Sequence, residues 1–284
     1  LTENLLWKRF KTAVKIMKNL KDKIVLITGG ASGIGEIMCR LLLERGANII
    51  IWDINSDNLE KLRLKYSSLG KLTVMKVDVS SISEINSAAK EVINNFGGID
   101  LLINNAGIIV GNYFHEHSEA DITSTLNINS NAPIYITHAF IDNMLSKNSG
   151  HICNIASSGG LLSNPKMSVY VATKWSLIGF SDSLRLEMEQ LKKNINVTTI
   201  MPYYINTGMF DGVKSKIPIL DPETTALTII KAIEKNKKMV SIPGYIYRVT
   251  RFAQAILPIS IFDWFTGNVL GVYKTMENFK GRNR

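Results

Sequence analysis

The chain has 284 residues, 45% hydrophobic and 20% charged, enough for one large α/β domain and unlike the composition of a disordered protein. Its net charge of +9 sits on the ends: residues 1–23 hold seven basic and two acidic side chains and residues 246–284 hold six and two, so the 20 basic and 20 acidic residues between them cancel. Nucleic-acid binders spread basic residues over a face of the main domain, so this pattern argues against nucleic acid and fits an anionic surface, such as a membrane, or a partner protein.

Taken in chain order, residues 3–20 read as an amphipathic helix. Trp7, Phe10, Val14 and Met17 recur at helical spacing, opposite Lys8, Lys11, Lys15 and Lys18. Such a helix either docks on the body or a second subunit, or anchors the chain at a membrane surface. Lysines interrupt every apolar stretch of this start, unlike a signal peptide, and no apolar run of the sequence is long enough to span a bilayer. Cys39 and Cys153 stand far apart in apolar segments, as in a cytoplasmic protein with reduced thiols. No Cys or His spacing points to zinc, and His115 and His117 flank Glu116 in a polar stretch that reads as a loop.

From Lys23 onward short apolar runs alternate with helical stretches. Strands are predicted at 23–28, 48–53, 72–77, 99–104, 150–156, 196–201 and 238–242. Helices are predicted at 33–46, 55–68, 81–96, 119–146, 169–193 and 222–236. Near-continuous apolar strands separated by helices predict an α/β fold: a doubly wound, parallel, seven-stranded Rossmann sheet with helices on both faces. The expected organisation is a basic N-terminal helix (1–21), one Rossmann domain (22–245) and an apolar, basic extension (246–284).

The first strand runs into Thr28-Gly29-Gly30-Ala31-Ser32-Gly33-Ile34-Gly35 and then a helix. Glycines there permit a tight turn and let a pyrophosphate approach backbone N–H groups at the helix start. Asp53 closes the second strand. A carboxylate at that point accepts hydrogen bonds from a ribose and repels a 2′-phosphate, which favours NAD over NADP; its other reading is a cap for the next helix. Asp78, beside Val79 at the end of the third strand, is placed at the adenine edge, or is a simple loop acid.

Asn104-Asn105-Ala106-Gly107 follows the fourth strand, and Tyr170-x-x-x-Lys174 lies on a helix thirteen residues after Ser157. Spaced by four, Tyr170 and Lys174 share a helix face. An ammonium beside a phenol favours the phenolate and is expected to lower the tyrosine pKa; Ser157 can steady a developing oxyanion. Together with the glycine turn, these motifs resemble the short-chain dehydrogenase/reductase family over residues 22–245. The resemblance implies a hydride exchange between NAD and a carbinol or carbonyl carbon, with Tyr170 as acid/base and Lys174 on the nicotinamide ribose. It also implies that Asn129 completes a tetrad by holding a water that links Lys174 to solvent. The cofactor set is Thr28, Gly29, Ser32, Gly33, Ile34, Gly35, Asp53, Asp78, Val79, Asn105, Ala106, Gly107, Tyr170, Lys174, Pro202, Ile205 and Thr207. Tyr203 replaces the family's usual glycine after Pro202.

Residues 203–220 are expected to form an apolar loop over the substrate, and 255–265 either close the pocket or meet a membrane interface. Trp52-Asp53-Ile54-Asn55, Asn206-Thr207-Gly208, Leu257-Pro258 and the basic start resemble the retinol dehydrogenase and lipid-droplet 17-beta-hydroxysteroid dehydrogenase subgroup. That implies a steroid, retinoid or long-chain alcohol as substrate, a homodimer or homotetramer, and peripheral membrane contact. The alternatives are a soluble reductase of small polar carbonyls and a non-catalytic nucleotide-binding protein at a membrane surface.

Overall fold

The computed structural model describes residues 19–281, so the helix expected over 3–20, apart from its last two residues, lies outside the described residues. Seven strands form one parallel sheet: β1 (Ile24–Thr28), β2 (Asn48–Asp53), β3 (Leu72–Lys76), β4 (Leu101–Asn104), β5 (Gly150–Ile155), β6 (Ile195–Pro202) and β7 (Met239–Ile242). Their spatial order is β3-β2-β1-β4-β5-β6-β7. The order reverses between β1 and β4, which opens a crevice at the carboxyl ends of those strands. Each strand lies within two residues of its expected bounds.

Helices α1 (Gly33–Leu43), α2 (Ser56–Tyr66), α3 (Ile82–Phe96), α4 (Glu119–Leu126), α5 (Ala132–Lys147), α6 (Ser168–Gln190) and α7 (Pro222–Glu234) connect the strands. The side-chain alternation of the strands divides the core into two layers. Val25, Ile27, Ile49, Ile51, Leu101 and Ile103 point to the layer of α1, α2 and α7. Leu26, Ile50, Trp52, Leu102 and Ile152 point to that of α3, α5 and α6. Apolar side chains on both faces explain why these strands lack a polar alternate position. The two cysteines are buried and unpaired, and burial raises both thiol pKa values, that of Cys39 to about 12.

One expected helix is two. The stretch predicted over 119–146 is α4 and α5 joined by a π-helical turn at Asn127–Asn131. Beyond β7 the chain adds α8 (Gly244–Ile256) and α9 (Ile259–Trp264), and then folds back as a shorter segment. There Val272 and Met276 join Met167, Tyr170, Tyr203 and Tyr204 in a third apolar cluster, over the end of the crevice. No helix among the described residues is long and apolar enough to cross a membrane.

Candidate active site

The loops after β1 to β6 enclose one cleft of about 550 Å³. At one end is the glycine turn. Gly29 has φ +61°, and a Cβ there would stand 2.8 Å from Ala106 Cα. A Cβ on Gly35 would collide with the Gly29 carbonyl oxygen. These close approaches bring the β1 and β4 loops together, and polar groups zip them. The Asn105 and Ala106 amides each donate to Thr28 Oγ1 at 3.1 Å, and Asn105 Nδ2 donates to the Thr28 and Gly29 carbonyls at 3.0 Å. Thr28 and Gly35 thus build the cradle from beneath, while Gly29, Ser32, Gly33, Ile34, Asn105, Ala106 and Gly107 line it. A phosphate set there faces the start of α1, so the residues present fit a dinucleotide.

Asp53 lies on the same cleft wall. Its carboxylate accepts from the Ala31 amide of the glycine turn and from the Asn55 amide, both at 3.0 Å. The cap of α2 is Asn55, whose side chain accepts from the Asn58 amide, so capping does not occupy Asp53. No basic side chain other than Lys174 lines the cleft among the described residues. Asp78 and Val79 continue the wall; one Asp78 oxygen takes hydrogen bonds from the amide and hydroxyl of Ser80, at 2.8 and 2.7 Å.

At the other end, Ser157, Tyr170 and Lys174 are all buried and adjacent. Ser157 follows β5, accepts from the Gly159 amide at 3.0 Å, and lies beside the Tyr170 hydroxyl, whose pKa it acts to lower. Lys174, one turn along α6, donates to the Ile155 carbonyl at 3.0 Å, with its ammonium 5.5 Å from the Tyr170 ring centre. Burial moves the two groups in opposite directions: Lys174 falls to about 8 and Tyr170 rises to about 12. The expected lowering of the phenol by the ammonium is not what sets its pKa here: burial raises it, and Ser157 is the group that opposes the rise.

Asn129 is fully buried in the π turn, behind the cleft wall rather than on it. Its side chain accepts from the Ile108 amide and donates to the Ile108 carbonyl, each at 2.8 Å. It thereby clamps the loop carrying Gly107, where a Cβ would meet Asn129 Oδ1 at 3.3 Å and Lys174 Nζ at 3.8 Å. Pro202, Ile205 and Thr207 line the cleft, as do Tyr203, Met209 and Phe210. Tyr203, in place of glycine, directs its hydroxyl to Ser215 at 2.7 Å. Its ring packs edge-on against Tyr204, and Phe210 packs edge-on against both Tyr204 and Tyr170.

The sequence reading missed Ile108, Ile128, Ile155 and Asn58 at the cleft. Ile155 acts through its carbonyl, which leaves no side-chain signal. Asn58, three residues after the cap of α2, could have been found from its place beside Asp53.

A family model described as short chain dehydrogenase matches residues 23–218. Epidermal retinol dehydrogenase 2 of Mus musculus is 32% identical over 282 residues, covering 97% of this chain and 91% of that protein. Estradiol 17-beta-dehydrogenase 11 of Macaca fascicularis is 32% identical over 247 residues, covering 86% and 82%. Among solved structures, a short chain dehydrogenase/reductase from Burkholderia phymatum in complex with NAD superposes with a TM-score of 0.77 at 21% identity, covering 84% of this chain and 94% of that one. A metagenomic short-chain oxidoreductase in complex with NADP gives 0.67 at 24%, covering 78% and 95%.

Proposed function

We propose, on the premise that this chain belongs to the short-chain dehydrogenase/reductase family and is an oxidoreductase using a nicotinamide cofactor, that it oxidises or reduces an apolar, lipid-like alcohol or ketone with NAD. The observation that carries the reading is one cleft with the glycine cradle and Asp53 at one end and Ser157, Tyr170 and Lys174 at the other.

The cofactor, when bound, supplies hydride transfer. Tyr170 takes the hydroxyl proton in oxidation and returns it in reduction, while Ser157 holds the substrate oxygen. Lys174 reaches the ribose from the inner wall, and Asn129 keeps the Gly107 loop beside Lys174, with the water relay to solvent as its further role. Asp53, on a cleft that among the described residues is lined by no basic side chain other than Lys174, favours a ribose free of a 2′-phosphate. The substrate end is walled by Tyr203, Ile205, Met209 and Phe210, which suits a steroid, retinoid or long-chain alcohol. The relatives named for retinol and estradiol accord with that class. Leu126, Tyr135 and Leu186, exposed on α4, α5 and α6, supply apolar surface for a homodimer or homotetramer. The basic ends add peripheral contact with a membrane.

NADH fluorescence on a panel of retinoids, steroids, long-chain alcohols and small polar carbonyls tests the reading. Turnover of the lipid-like compounds with NAD is expected. Turnover confined to the polar carbonyls would replace it with the polar-reductase reading, and inertness toward every compound would leave a nucleotide-binding protein without catalysis.

A further inference from the structure

Helix α8 is fastened on one side and bare on the other. Ile246 and Thr250 are buried, and Gln254 donates to the Leu161 carbonyl at 2.9 Å. On the opposite face Tyr245, Val249, Phe252 and Ile256 recur at i, i+4, i+7 and i+11, and each is more than half exposed, Phe252 at 68%. The apolar surface continues along α9, where Ile259 is 78% and Trp264 60% exposed. A helix resting on a soluble body normally turns this kind of stripe inward.

The edge of the stripe is basic. Arg251 lies 5.8 Å from the ring centres of both Trp175 and Tyr247. Arg248, Lys231, Lys235 and Lys237 surround a recess of about 340 Å³ beside β7, at the open edge of the sheet. Among the described residues no carboxylate lines it. An apolar stripe on α8 beside an uncompensated basic recess between α7 and α8 matches acyl chains next to phosphate groups.

We infer that α8, α9 and this recess form a docking face for an anionic lipid surface, with the stripe among the acyl chains and the recess on the headgroup phosphates. This assigns the peripheral contact proposed above to a particular face and does not depend on the hydride chemistry. The same C-terminal segment is tied to the substrate loop, since Lys216 donates to the Val269 carbonyl at 2.7 Å.

The test is co-sedimentation of the full chain with vesicles of phosphatidylcholine, with and without phosphatidylserine, at low and high salt. Light scattering and turnover of a water-soluble alcohol are measured alongside. The parent is expected to bind phosphatidylserine vesicles in a salt-sensitive way. Phe252→Ser with Trp264→Ser should lower partitioning at least about tenfold. Lys235→Glu with Arg248→Glu should remove about tenfold or more of the binding to anionic vesicles and little of that to neutral ones. Retained turnover shows that the variants are folded. A parent that ignores phosphatidylserine, or variants that bind as it does, would overturn the proposal. So would a Phe252→Ser, Trp264→Ser protein that loses a dimer without losing vesicles, because a second copy of the chain would then be the occupant.

Discussion

The ammonium of Lys174 sits 5.5 Å from the centre of the Tyr170 ring, yet its hydrogen bond goes to the Ile155 carbonyl. The two groups are neighbours with separate surroundings, and Ser157 is the polar group that opposes the rise of the phenol's pKa. Tyr170→Phe should accordingly lower kcat by about 10²–10⁴ and leave the NADH affinity close to that of the parent. Stopped-flow turnover and a fluorescence titration check both halves; a variant that still turns over at the parent rate removes Tyr170 from the chemistry.

Asp53 holds the Ala31 amide and lines a cleft whose one basic side chain, among the described residues, is Lys174. Replacing it with alanine removes the charge that opposes a 2′-phosphate. The kcat/KM preference for NAD over NADP should then narrow by about tenfold or more. Steady-state kinetics with both cofactors measures it, and an unchanged ratio would assign the discrimination to another residue.

Asn129→Ala should cost about 1–3 kcal/mol of stability, because it strips the half-buried amide and carbonyl of Ile108 of their partners at once. Urea unfolding gives the number. Asn129→Asp, which can still accept but cannot donate when ionised, should not restore the parent stability. A loss below about 0.5 kcal/mol would mean that the loop is held elsewhere.

His151, wholly buried in β5, makes one hydrogen bond, between Nε2 and Thr198 Oγ1 at 2.8 Å. The Thr198 hydroxyl donates to the Lys237 carbonyl, so Nε2 carries the proton and Nδ1 has no partner. Burial holds the ring neutral, with its pKa lowered from 6.5 to about 4. The folded pKa is the lower one, so the unfolded chain binds a proton first as pH falls. Stability should therefore drop by up to about 3 kcal/mol between about pH 6.5 and pH 4. In His151→Gln this part of the pH slope should vanish, which unfolding curves at pH 7 and pH 4.5 will show. An identical slope in both proteins would assign the acid sensitivity to other groups.

Much of this arrangement is legible in the sequence because it is written in side chains. Continuous runs such as Ile24-Val25-Leu26-Ile27 require a sheet covered on both faces. The order of glycine turn, Asn105-Ala106-Gly107, Ser157 and Tyr170-x-x-x-Lys174 places each motif after a strand or on one helix face. What escaped is written in the backbone. The π turn at Asn127–Asn131 shifts a hydrogen-bond register without breaking the apolar period, so it read as one helix through 119–146. The Ile155 carbonyl that receives Lys174 belongs to no motif. Helix α8 keeps the amphipathic rhythm but turns its apolar stripe outward, so the stripe does not mark a helix packed on the sheet.

Asn164 donates to the Tyr204 hydroxyl and to Thr275 Oγ1, each at 2.8 Å, beside a small recess walled by Ser157, Phe210 and Val272. The tail of the polypeptide is thus masonry in the chamber proposed for the substrate. Trimming the chain back past Val272 would leave the glycine cradle intact and unroof that chamber, so nucleotide recognition and substrate choice can diverge through edits to a single terminus.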